Sequence, residues 1–394
     1  MVTCRTLLRR LRLIHVAYIS FGLSLCLSFD GSAQVANTGA PKTATVHPDV
    51  SALTPVKLHY DDPVTFPVGT KQSAVISDFK CGADGSVFLP MVDDVSHLSR
   101  EAVASSMMIV GLTPSGDVVR FIPQPVSGYR NLISLFRYFV AKSYVYVLEL
   151  GDKIDSGDLQ RVSGRSRIIQ AFDYKGQLVQ SIVLDADIDP LNFAVFDSGE
   201  ILVLSADTLN HSTRLLLLDP RGRLESKLSL FDSDFASQLD LAAKGQSRTL
   251  SNVLAVSSFV PHGEDILLAA TGINFPILEL NQHGVVKATK LALPSGLTVR
   301  SLLPSDDGML RVVAGTLRSM PLSTSASGSP PPTGEYLFAS EIDEFYPQDG
   351  SLVRRISIEA GPKPVCSSKG AYTFLAHREA DSRLQLITAS PSDH

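Results

Sequence analysis

The sequence predicts an all-β protein made of repeated four-stranded antiparallel units. The first observation is a tight glycine turn between two apolar runs, which recurs roughly twice in every fifty to sixty residues. The second is that the runs are short and rich in branched residues, as in the stretch from Ile201 to Leu204. The third is that no polar linker divides the 394-residue chain, although that length exceeds the usual limit of a single core. A repeat of this period is typical of stacked supersecondary units.

The glycine turns fall into two interleaved sets, and each set predicts one position within a repeated unit. The first set contains Gly85, Gly199, Gly263, Gly308 and Gly370, and the second contains Gly116, Gly176, Gly222, Gly284 and Gly350. The first set joins the first strand of a unit to the second, and the other set joins the third strand to the fourth. Each glycine follows polar residues and precedes an apolar strand, which is the composition that tight turns favour.

The strands between these turns divide the chain into six units. We expect the units at about 73–123, 132–185, 192–231, 252–293, 297–359 and 363–389. The sixth unit has only three strands in order. Residues 56–60 can supply its missing strand, which would leave no open sheet edge where the ring closes. A ring of seven units and a large β-sandwich remain the alternative folds.

The turn pattern, a polar residue and glycine between two apolar strands, resembles that of NHL-type and related six-bladed β-propellers. The resemblance spans nearly the whole chain after its N-terminal segment and implies an all-β, six-bladed β-propeller of four-stranded antiparallel blades closed by an N-terminal strand. The chain contains no Trp, so it lacks the repeat signatures of WD, Asp-box and tryptophan-docking propellers.

The N-terminal segment is typical of a secretory signal. Arg5, Arg9, Arg10 and Arg12 precede an apolar stretch that ends in the small residues 31–33. We therefore expect cleavage after Ala33, a leader at 34–55 without periodicity, and a periplasmic or extracellular location. An N-terminal membrane anchor and lipidation at Cys26 are the alternatives.

Loop lengths predict which face of the ring carries function. The glycine turns all fall on one face, so the long connections at 93–104, 151–165, 206–213, 232–252 and 318–335 share the opposite face. We call this the long-loop face, and the other the turn face. Long polar loops on a rigid scaffold are where binding usually resides, so this face is the expected ligand site.

Candidate ligand-binding residues lie near the expected mouth of the central channel on the long-loop face. They are Asn131, Asn192 and Asn252 at the first strands of units two to four, Arg300 in unit five, and His97 and His211 in long loops. Propellers that resemble gluconolactonases hold a metal at this mouth with Glu, Asn and Asp. No Glu here matches such a position, so no catalytic role is carried over, and Asn as a local turn residue is the alternative.

Asp185, Asp187 and Asp189 are the weak candidates for a metal site. Their spacing matches the start of a calcium loop, but residue 196 is Phe where an EF-hand needs a bidentate Glu. They either belong only to the connection between two units, or they hold a cation such as calcium together with another loop.

Cys81 and Cys366 are the two cysteines left after signal cleavage, and each lies four residues before its turn glycine. They occupy equivalent places in units one and six, which are neighbours only if six units close the ring. We predict a disulfide between them, because an exported chain meets oxidising conditions. Two buried thiols are the alternative.

These observations favour an exported, non-enzymatic binding module for a peptide, protein or small ligand, with no cofactor. The chain carries a net charge of −5 with interspersed signs, which predicts no nucleic-acid partner. We expect a monomer without a transmembrane span after cleavage. The alternative is a metal-dependent lactonase, lyase or hydrolase with its site at the channel mouth.

Overall fold

Six small antiparallel sheets form the protein, and the predicted fold class is confirmed. The computed structural model describes residues 53–69, 79–92, 107–155, 161–207, 212–228, 257–273, 275–305, 307–321, 333–359, 361–368, 370–378 and 383–392. Within those ranges no helix has the length and hydrophobicity needed to cross a membrane.

The strands follow the chain as four-stranded blades. Blade one contains β3 (Lys80–Cys81), β4 (Val87–Val92), β5 (Met107–Leu112) and β6 (Val118–Phe121). Blade two contains β7 (Tyr129–Val140), β8 (Tyr144–Ile154), β9 (Val162–Asp173) and β10 (Leu178–Val183). Blade three contains β11 (Pro190–Val195), β12 (Ile201–Asp207), β13 (Ser212–Leu218) and β14 (Leu224–Leu228).

The remaining blades repeat this order. Blade four contains β15 (Ser258–His262), β16 (Asp265–Ala269), β17 (Ile277–Asn281) and β18 (Gly284–Thr289). Blade five contains β19 (Thr298–Leu303), β20 (Leu310–Pro321), β21 (Thr333–Phe345) and β22 (Leu352–Ser357). Blade six contains β23 (Lys363–Ser368), β24 (Ala371–Arg378) and β25 (Arg383–Pro391), and the N-terminal strands β1 (Leu58–Tyr60) and β2 (Val64–Gly69) complete it.

The first strand of each blade lies at the centre of the ring. β3 contacts β7, β7 contacts β11, β11 contacts β15, and the series continues through β19 and β23 back to β3. This closed circuit of six strands lines the central channel and makes the molecule a six-bladed β-propeller. The turns that leave these strands lie on the turn face, so their N-terminal ends lie on the long-loop face.

An N-terminal strand closes the ring, as the sequence predicts. Leu58 pairs with Pro391 and Tyr60 with Ala389 in antiparallel register. The segment before it also pairs with blade five, because Val56 forms a parallel bridge with Ile356. Leu53, which the sequence assigned to the leader, packs against the apolar core between blades four and five.

The two cysteines link blades one and six on the inner side of the ring, and we call this junction the seam. Cys81 and Cys366 form a disulfide with a Cα–Cα distance of 5.3 Å. They lie on β3 and β23, which are neighbouring inner strands of blades one and six. The seam is therefore held by a covalent bond on its inner strands and by β1 and β2 on its outer edge.

The core is divided into layers between neighbouring blades. Along β8, Val145 and Val147 pack towards blade one, whereas Tyr146 and Leu148 pack towards blade three. Strands buried on both faces need apolar residues at every position, which explains the continuous apolar runs that the sequence shows.

Two turn glycines show why the second set of turns requires glycine. A Cβ at Gly350 would lie 2.0 Å from the carbonyl oxygen of Lys290, at the end of the preceding blade. A Cβ at Gly176 would lie 2.7 Å from the carbonyl oxygen of Arg120, on the outer strand of blade one. Both residues also have a positive φ, of 71° and 80°. These turns pack directly on the neighbouring blade, so their glycines serve the contact between blades as well as the turn.

Two of the predicted long loops are partly strand. β8 and β9 pair as far as Ile154 and Val162, so most of 151–165 continues the sheet of blade two. β20 and β21 pair as far as Pro321 and Thr333, which shortens the predicted 318–335 loop. Backbone hydrogen bonds hold these polar segments in the sheet. The pattern of apolar side chains alone does not predict such strands.

Candidate functional site

The mouth of the channel on the long-loop face is formed by the starts of the inner strands, and one structure rises above it. Beyond Gly315 and Ala339, residues 316–321 of β20 and 333–338 of β21 pair with each other and with no other strand in the described part of the chain. We call this two-stranded extension the arm. Six residues of strand span about 20 Å, so the arm extends the hairpin by about that length past its last pairing with the rest of blade five.

The wall of the channel is basic. The inner strands β3, β7, β11, β15, β19 and β23 contain Lys80, Arg130, Arg137, Arg300 and Lys363. The same described strands contain no Asp or Glu. The chain as a whole carries a net charge of −5, so the inner strands differ in charge from the rest of the chain.

Arg300 and Lys363 are two neighbouring basic residues whose charges no described acidic side chain neutralises. Burial lowers the pKa of the Arg300 guanidinium. Burial, and then the charge of Arg300, lower the pKa of the Lys363 ammonium. Lys363 Nζ lies 5.3 Å from the centre of the Phe79 ring. The two side chains, from neighbouring blades five and six, are close enough to repel each other.

Two of the predicted asparagines lie on inner strands, but each has a partner of its own. Asn131 is an exposed residue with a φ of 52° in a bulge of β7, and its Nδ2 donates to Asp152 Oδ2 at 3.0 Å. Asn192 is buried, and its Nδ2 donates to the Ser257 carbonyl oxygen at 2.8 Å. Asn192 therefore ties blade three to blade four. The other predicted residues, Asn252, His97 and His211, lie outside the described residues.

The three aspartates form the link between blades two and three. Asp185 and Asp187 are exposed, whereas Asp189 Oδ1 accepts from Arg167 Nη2 at 2.7 Å. The ion pair occupies one of the carboxylates that a cation would need. In the described part of the chain, no three His, Cys, Asp or Glu residues lie close enough together to hold a metal ion.

The structure contains two buried acids that the sequence pattern does not predict. Glu149 on β8 is fully buried, neither of its carboxylate oxygens has a hydrogen-bond partner among the described residues, and burial raises its pKa to about 8. Asp343 on β21 is also fully buried, and burial together with the charge of Glu341 raises its pKa to about 8. Glu149 interrupts a run that is otherwise apolar from Val145 to Leu150, and this interruption was the available signal.

Glu341, whose charge acts on Asp343, forms a buried ion pair with Arg355. Glu341 Oε2 accepts from Arg355 Nη2 at 2.8 Å, and Arg355 also reaches the carbonyl oxygen of Leu53 in the N-terminal segment. This arrangement links the third and fourth strands of blade five to the segment that closes the ring. Its position away from the inner strands indicates a structural role.

The fold and the basic channel define this chain as a six-bladed β-propeller with a candidate ligand site at the channel mouth. No protein-family model matches it, and no curated protein matches it in sequence. Distant matches exist among solved structures. A streptogramin B lyase shares 12% identity over 84% of this chain and 98% of its own, with a TM-score of 0.39.

A subtype N11 neuraminidase-like protein of A/flat-faced bat/Peru shares 11% identity over 86% of this chain and 95% of its own, with a TM-score of 0.42. A protein of unknown function from Bacteroides caccae shares 13% identity over 71% of this chain and 80% of its own, with a TM-score of 0.38. These similarities are too distant to carry a function, and the NHL family has no matching model. The fold assignment rests on the six sheets of this chain.

Proposed function

We propose that this chain is an exported, non-enzymatic propeller that binds a peptide, protein or small ligand on its long-loop face. The observation that supports this proposal is the arm, because it extends beyond the ring beside the mouth of the channel. On the turn face, the described turn at Gly350 instead packs against the preceding blade. Because the arm takes no part in the pairing between its blade and the other strands, we infer that it contacts another molecule.

Removal of the arm tests the proposal. Gly315 and Ala339 are paired in the sheet, so an Asn-Gly turn between them can replace residues 316–338 and close a two-residue hairpin. We expect the shortened protein to melt close to the wild type, because residues 316–321 and 333–338 pair only with each other. Binding of peptides and small molecules is screened on both proteins by ligand-induced shifts in melting temperature.

The screen also needs a chemical readout. Each ligand that shifts the melting temperature is incubated with a small molar fraction of protein and then analysed by mass spectrometry. A binding module returns the ligand unchanged, and the arm-deleted variant loses the shift. Equal shifts in both proteins would refute the role of the long-loop face, and conversion of the ligand would refute the non-enzymatic proposal.

A metal-dependent lactonase, lyase or hydrolase is the second candidate. The buried acid Glu149 favours it, because strongly raised pKa values cluster at catalytic sites. Metal analysis of the purified protein separates the two functions. About one tightly bound divalent ion per chain would support the enzyme and contradict a pure binding role.

A further inference from the structure

Arg300 and Lys363 form a charge arrangement that the fold itself does not require. The guanidinium of Arg300 has no hydrogen bond or ion pair in the part of the chain that the structure describes, and the only contact of Lys363 Nζ recorded there is with the Phe79 ring. The buried Arg311, by contrast, does have an acidic partner. Its Nε donates to Glu344 Oε1 at 2.8 Å.

The backbone around Arg300 is fixed by the neighbouring blade. Arg300 lies in a bulge of β19, between the paired residues Val299 and Ser301. The Gly272 amide donates to the Val299 carbonyl oxygen at 2.7 Å, and Thr271 Oγ1 donates to the Arg300 carbonyl oxygen at 3.2 Å. Bulges commonly redirect a side chain at a functional site. Two bonds from blade four therefore hold this one in place.

Two neighbouring cations without a carboxylate partner oppose folding, because they repel each other and because the partly buried Arg300 loses hydration. An anion between them removes both costs at once. Arg presents a planar fork that matches a carboxylate or a phosphate, and Lys adds a compact second charge. We propose that Arg300 and Lys363 bind the carboxylate or phosphate group of a small anionic ligand at the channel mouth.

This inference rests on the proposed function and names the ligand chemistry of the same site. The Phe79 ring holds the Lys363 ammonium on the side of blade one, so the ammonium lies between blade one and the guanidinium of blade five. The other basic residues of the inner strands, such as Lys80, add positive charge around the channel, and the described inner strands contain no Asp or Glu. An anion is thus attracted to the channel before it reaches the pair.

Calorimetric titration of the full chain with four probes tests the site. Succinate and citrate represent the carboxylates, and inorganic phosphate and glycerol 3-phosphate represent the phosphates. The variants are Arg300→Gln and Lys363→Gln. The control is Lys142→Gln, which removes an exposed lysine from the turn between β7 and β8, on the opposite face of the ring.

We expect at least one probe to bind the wild type and the control equally, and to bind each site variant about tenfold or more weakly. Without ligand, both site variants should melt at or above the wild-type temperature, since each removes a repulsive charge. That second readout distinguishes a ligand site from a structural role, because loss of a structural residue lowers the melting temperature.

Failure of all four probes to bind, or equal binding to the site variants, overturns the anion site. The arm-deleted protein keeps this outcome separate from the proposed function. If that variant loses a neutral or cationic ligand from the wider screen while no anion binds, the long-loop face is still the binding face and only the anion chemistry is wrong. If carboxylates alone or phosphates alone bind through the pair, the ligand belongs to that class.

Discussion

Replacement of Glu149 by glutamine should stabilise the protein at neutral pH. Glu149 is fully buried within the sheet of blade two, and neither carboxylate oxygen has a hydrogen-bond partner among the described residues. Burial raises its pKa from 4.5 to about 8. The folded protein therefore holds a proton there that the unfolded chain releases, so stability is full below the lower value and is lost as pH rises through the higher one.

The magnitude follows from the two pKa values. Each unit of difference corresponds to 1.36 kcal/mol, so the wild type should lose roughly 3 kcal/mol of unfolding free energy between pH 4.5 and pH 7 through this group alone. Glutamine has nearly the same shape and no charge. The Glu149→Gln variant should match the wild type near pH 4.5 and exceed it by about that amount at pH 7.

Thermal and urea unfolding from pH 4.5 to pH 8 provide the measurement. All other titrating groups, including Asp343, are common to the proteins and cancel in the difference. The exposed Glu225 on β14 provides the matched control, and its Gln variant should follow the wild type at every pH. A stability difference between Glu149→Gln and wild type that stays constant over this range would refute the reasoning.

Three further predictions concern how the ring is held together. Cys81→Ser and Cys366→Ser should each cost about 5–6 kcal/mol, the value that the loop-entropy relation gives for a sequence separation of 285, and the double variant should cost no more than either one, as unfolding under non-reducing conditions will show. Gly350→Ala should destabilise by well over 2 kcal/mol, whereas Gly308→Ala, which has open space around its Cβ, should cost about 1–2 kcal/mol, and a smaller loss at position 350 would contradict the packing argument. Deletion of residues 34–50 should leave the melting temperature unchanged, but deletion of 34–60 should lower it by several degrees because β1 is lost, and equal melting would show that the closing strand contributes nothing.

The sequence predicts the fold well because each inner strand ends at a turn that recurs with a fixed period. Gly85, Gly199 and Gly370 mark equivalent positions, so the adjacency of Cys81 and Cys366 follows from counting. The count places the two cysteines on neighbouring inner strands, and β3 of blade one does contact β23 of blade six.

The candidate site was less accessible to prediction. Asn192 has the position expected of a ligand residue, yet its amide is used to join two blades. Lys363 was missed because its importance depends on Arg300, which lies 63 positions earlier in the chain and becomes a neighbour only in the closed ring. Glu149 was missed because a strand pattern shows an acid among apolar residues but not the absence of a partner.

The closing contacts join strands that are more than 300 residues apart in the sequence, so the ring can close only after the later strands have been synthesised. β1 leaves the ribosome long before β25, its partner at Arg383–Pro391, has been translated. Cys81 has no bonding partner until β23 is made, and the N-terminal strand has no sheet to complete until β25 is made. A chain that stops early is left as an open ring with exposed strand edges, which readily pair with other chains. The translation of β25 thus separates a ring that can close from one that cannot.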